Sequence, residues 1–160
     1  MKKLTTVLAV AGLICATSGI ALASDTATQT VTYEVVAINE LSVSGNPALT
    51  VNAATAGSPL TQATDATTTY AITTNQTRKI TGALDTIMPV GLTLKANLTE
   101  PSTGISADAV TLTDVATDLV TAIGPVAESD LGIAFSLDAT VAAGPVVSAS
   151  KTLTLTIAAP

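Results

Sequence analysis

The acidic side chains Asp108, Asp114 and Asp118, with Glu128 and Asp130 further on and the adjacent pair Ser150–Lys151, are the residues here whose types and spacing could do chemistry. Convergent loop carboxylates suit calcium, and paired carboxylates suit proton transfer. Neither reading finds a full set of parts. Calcium, which takes oxygen ligands, is the only metal to weigh, but no Asp-x-Asp-x-Asp-Gly loop is present, and acids at strand ends are more often ordinary solvated turns. Ser150 and Lys151 are neighbours, which on a strand turns their side chains to opposite faces and argues against a dyad. There is no histidine, and the one cysteine, Cys15, lies near the start. The usual general base, thiolate nucleophile and transition-metal ligands are therefore missing. A sugar platform needs aromatic faces, yet only Tyr33, Tyr70 and Phe135 are on offer, each in phase with apolar neighbours that predict a place in the core. The expectation is a non-enzymatic protein with no catalytic residues and no cofactor beyond a weakly indicated calcium ion.

The first residues read as an export signal. Lys2 and Lys3 precede an apolar stretch over 4–14, and Ala21-Leu22-Ala23 supplies the small residues for cleavage after Ala23. Thr5, Thr6, Thr17 and Ser18 interrupt a run too short for the roughly 20 apolar residues of a membrane span. The expected division is a signal peptide over 1–23 and a single domain over 24–160, exported to the cell surface, the medium or the periplasm. That domain contains no cysteine, so packing and backbone pairing must stabilise it without disulfides. Its basic residues, Arg78, Lys79, Lys95 and Lys151, face twelve carboxylates, a net charge of −8 that repels nucleic acid and anionic lipid.

The elements that must carry these residues are strands, because threonine alternates with apolar residues throughout. In "LGIAFSLDATV" the inward set is Leu131, Ile133, Phe135, Leu137, Ala139 and Val141; in "VGLTLKANLTE" it is Leu92, Leu94, Ala96 and Leu98. Weaker strands are "TVTYEVVAI", "ALTVN", "TTTYAITT", "RKITGAL", "AVTLT" and the terminal "KTLTLTI". Turn chemistry at Ser44-Gly45-Asn46-Pro47, Asn75-Gln76, Met88-Pro89, Pro101-Ser102 and Gly144-Pro145 separates them. Residues 52–68 form the longest loop-like stretch. About eight strands predict an all-β, antiparallel two-sheet sandwich of immunoglobulin-like or related type. Over 113–123 two readings stand. Leu112, Val115, Leu119, Val120 and Ile123 fit a short helix, and "DLVTAI" fits a strand with Leu119 and Ile123 inward.

Both ends of the domain alternate as strands do. "KTLTLTI" places Leu153, Leu155 and Ile157 on one face of an edge strand that only Lys151 protects from unwanted pairing. Near the start, Ala27, Gln29, Val31, Tyr33 and Val35 share a face. This segment either pairs inside its own sandwich or lies in the groove of a neighbour, building a fibre by strand addition. The leader, the Thr-rich alternation, the scarcity of aromatics and the strand-like N-terminal extension resemble secreted bacterial sandwich proteins, including fimbrial major subunits that polymerise by donor-strand exchange. The resemblance implies that Val31, Tyr33 and Val35 are the inserted residues and that the partner is a second copy or another surface protein. Many such subunits carry a cysteine pair and a near-terminal tyrosine, and this chain has neither. Two functions follow as expectations: a structural or adhesive surface component that self-assembles, or a secreted module that binds a protein or glycan through loops such as 53–67 or 101–108.

Overall fold

The computed structural model describes residues 25–160, so the expected leader and its cleavage point lie outside the described residues. The chain divides into two units, Met1–Glu34 and Val35–Pro160. Of the first, residues 25–34 carry no regular secondary structure and are exposed. The second holds the strands β1 (Asn39–Ser44), β2 (Ala63–Thr74), β3 (Arg78–Leu84), β4 (Leu92–Leu98), β5 (Ile105–Ser106), β6 (Val110–Thr111), β7 (Thr117–Ile123), β8 (Val126–Ala139) and β9 (Leu153–Ala158). They form two antiparallel sheets, β1-β2-β8-β4-β6 and β5-β7-β3-β9. The all-β sandwich expected from the alternation is therefore present. Among the described residues no helix is long and apolar enough to cross a membrane.

From β2 onward each successive strand joins the opposite sheet. Each sheet turns one face toward the other, and the core fills from both sides with Tyr70, Ile72, Ile80, Leu98, Leu119, Val120, Ile123, Ile133 and Phe135. Gly82 makes room on β3, since a Cβ there would stand 2.6 Å from the Leu119 Cδ1. Tyr70 is buried, and its hydroxyl donates to the Thr99 carbonyl. Burial first, then the charges of Glu128 and Glu100, push that hydroxyl well above the ordinary tyrosine range.

Several expectations are corrected. Residues 113–123 hold no helix: β7 takes this stretch, and the only helical turn among the described residues is a 3₁₀ turn at Val141–Ala143. The β-branched Thr117, Val120, Thr121 and Ile123 favour extended backbone. Register shifts against β3 and a positive φ at Ala122 let Leu119, Val120 and Ile123 all be buried, which strict alternation forbids. Val115, a member of the helical stripe, is exposed. "TVTYEVVAI" and "ALTVN" are not strands; the first strand is "NELSVS" instead. Tyr33, expected in the core, is 89% exposed, and Val141 is exposed beyond the end of β8. The long loop ends early, because β2 already begins at Ala63.

Candidate functional site

The two lateral edges of the sandwich differ. At one, the chain crosses between sheets from β5 to β6 around Asp108, whose positive φ of 56° makes the corner, so covalent chain closes that side. At the other, β1 and β9 end their respective sheets and share no ladder. A groove of about 540 Å³ opens between them. Ile133 and Phe135 of β8, Leu84 of β3 and Leu94 of β4 form its floor. Val43 of β1 stands on one side, Leu153 and Leu155 of β9 on the other, with Met88 and Leu49 at the mouth.

The register fixes which backbone groups β9 leaves free. Asp85 N–H donates to the Thr152 carbonyl at 2.9 Å, which makes this a hydrogen-bonded pair of the β3–β9 ladder. Such pairs recur at every second residue. Thr152, Thr154 and Thr156 thus bond to β3, while the N–H and C=O groups of Leu153, Leu155 and Ile157 point off the sheet. The same three residues turn partly buried side chains inward. A strand laid here meets free main-chain partners and apolar side chains together.

The groove occupies one end of the sandwich, where β1 finishes and β9 starts. At the opposite end a polar network ties the sheets together: Arg78 Nε donates to Asn39 Oδ1 at 3.0 Å, Thr74 Oγ1 to the same oxygen at 2.8 Å, and Asn39 Nδ2 to Gln76 Oε1 at 3.2 Å. Val31, Tyr33 and Val35 are 71%, 89% and 80% exposed, and none lies in a strand.

Asp65 shapes the mouth. Its Oδ1 accepts from Thr67 N–H and Oγ1, and its Oδ2 accepts from Ala48 N–H at 3.1 Å, which holds the 45–49 loop at the rim. The Thr67 backbone bond, then the Thr67 hydroxyl and Ala48, hold this carboxyl below its ordinary value of 3.8. A depressed folded-state pKa gives stability that is fully present above 3.8 and is lost as pH falls through the folded value. Asp65→Asn is therefore expected to lower Tm at neutral pH, with the gap to the parent shrinking as pH drops below 3.8; melting curves at several pH values check this. A gap that stays constant across that range would refute it.

The acids singled out for chemistry do not converge. Asp118 pairs with Lys79 at 3.1 Å, Glu128 accepts from Ser102 N–H and hydroxyl, and Asp130 accepts from Ser129. Among the described residues no group of three or more acidic, histidine or cysteine side chains is placed to hold a metal. Lys151 donates to Thr86 Oγ1 at the groove rim, and Ser150 also lines the groove. Sequence reasoning missed β1, the role of Asp65 and the place of Leu49 and Met88 at the groove mouth. The one available signal was the short alternation of Leu41 and Val43 within polar "NELSVS". Comparison with protein-family models, with curated proteins and with solved structures finds no match to this chain.

Proposed function

We propose that this chain is a non-enzymatic structural or adhesive protein of the cell exterior that assembles with copies of itself by strand addition. The observation that carries this reading is an apolar groove bordered by an edge strand with free main-chain groups, in a chain whose alternating N-terminal residues belong to neither sheet. A groove of this volume is also in the range of small-ligand pockets. The free N–H and C=O row of β9 favours a peptide strand, which satisfies that row as no compact ligand does. Val31, Tyr33 and Val35, sharing one face, supply the side chains for the groove.

The geometry also favours an open polymer over a closed pair. The chain enters the sandwich at the start of β1, and the groove lies at its far end. Donor attachment and acceptor are different surfaces, a heterologous arrangement that propagates head to tail. Size-exclusion chromatography with electron microscopy tests the reading: filaments are expected, and discrete monomers under all conditions would count against it in favour of a secreted binding module. Deleting residues 24–32 is expected to abolish assembly while the β-rich circular dichroism spectrum persists. Unfolding of the truncated chain would instead make the segment an internal strand.

A further inference from the structure

Asn75, in the turn between β2 and β3, extends the pairing of β1 beyond the end of its ladder. Its main-chain N–H donates to the Ile38 carbonyl at 3.2 Å. Its side-chain Oδ1 accepts from Ile38 N–H at 2.9 Å, and its Nδ2 donates to the Val36 carbonyl at 2.8 Å. Opposite residues in an antiparallel ladder exchange two main-chain bonds. Here the side-chain oxygen replaces the second, and the amide nitrogen reaches two residues further along. One asparagine thus holds residues 36–38 in line with β1.

That alignment has a direction. β1 runs toward the groove, so its line continued backward leads away from it. Reach alone does not prevent a return: residues 25–35 fully extended span about 35 Å, whereas the six residues of β1 span about 17 Å. Orientation has to decide. We propose that Asn75 is a positioning residue for strand addition, holding residues 36–38 straight so that the segment before them is withheld from the groove of its own molecule and presented to that of a second copy. The inference rests on the strand-addition reading above. Asn39 braces the clamp from the β1 side, through its bonds with Thr74, Gln76 and Arg78.

The test compares the full-length chain with Asn75→Ala and Asn75→Asp. Asn75→Ala is expected to cut the ratio of polymer to monomer about tenfold, the shift that two exposed hydrogen bonds of modest net strength account for. Its monomers are expected to show new hydrogen-exchange protection over 25–35, because the freed segment falls back into its own groove. Asn75→Asp keeps the acceptor for Ile38 N–H and loses the donor to Val36, so it is expected to fall between the two. Polymer yield unchanged in a folded Asn75→Ala overturns the proposal, and so does lost polymer with the segment still unprotected. If Asn75→Ala does not fold, a wild-type yield from Asn75→Asp overturns it equally. A wild-type chain that never polymerises overturns the strand-addition reading itself, and a polymer indifferent to Asn75 overturns only this inference.

Discussion

Proline at Thr154 is expected to destabilise the sandwich by more than about 2 kcal/mol, while proline one residue later, at Leu155, is expected to leave it folded and unable to add a strand. The difference follows from the β3–β9 register. Thr154 stands opposite Ala83, two residues from the hydrogen-bonded pair Asp85 and Thr152, so its N–H bonds to β3. A proline ring there removes that donor and leaves a carbonyl of β3 without its partner. The N–H of Leu155 points off the edge, where proline is tolerated by the fold and removes a group that an added strand requires. Leu155→Ala serves as the control, since it loses the partly buried side chain and keeps the N–H. Urea unfolding measures the first effect and sedimentation the second. Greater destabilisation by Leu155→Pro than by Thr154→Pro would mean that the ladder runs in the other phase, and equal destabilisation would mean that register does not decide the effect. Assembly by Leu155→Pro as complete as that of Leu155→Ala would mean that β9 is not the acceptor.

Truncating Phe135 to alanine is expected to cost about 3–5 kcal/mol of folding free energy and to lower Tm by roughly 10 °C or more. The ring is buried, stands opposite the small Ala96 of β4, and forms part of the groove floor. Ala96 is what allows so large a neighbour, and no other phenylalanine in the chain can take the place of the lost ring. The cavity left by truncation would join the groove to the core, so the variant is also expected to bind an added strand less tightly, the strand finding fewer atoms beneath it. Chemical denaturation of the parent and variant checks the stability change. A loss below about 1 kcal/mol would place the ring outside the cooperative core.

Much of the architecture was legible because the alternation is physical: Leu94, Ala96 and Leu98, or Leu131, Ile133 and Phe135, can share a buried face only on extended backbone. "RKITGAL" coincides with β3 for the same reason. What failed were positions where pattern and partner part company. "TVTYEVVAI" alternates through Val31, Tyr33 and Val35 before its phase slips at Val36, but a strand also needs a neighbour for its backbone, and no alternation records whether one exists within the chain. Tyr33 was misplaced on that account, and Tyr70, with equal sequence credentials, was not. Bulges escaped too, since the burial of both Leu119 and Val120 depends on a register shift against β3 that single-residue periodicity does not encode. Apart from the brief Leu41–Val43 alternation of β1, the groove had no sequence signature. It is a gap between two strands, and the residues lining it come from β1, β2, β3, β4, β8, β9 and the loops around 45–49, 88 and 149–152, brought together by the order of strands in the sheets.

The pairing of β9 with β3 has a consequence for biogenesis. Ile80 must wait for Ile157, its opposite number in the ladder, so one wall of the cleft is absent until every other described strand has left the ribosome. Long-range ladders of this kind close slowly. The alternating residues 27–35 precede every described strand, so they are made before any part of the cleft, and the β9 edge follows all the other described strands. Order of synthesis thus places the segment that strand addition would donate well ahead of the edge that would accept it.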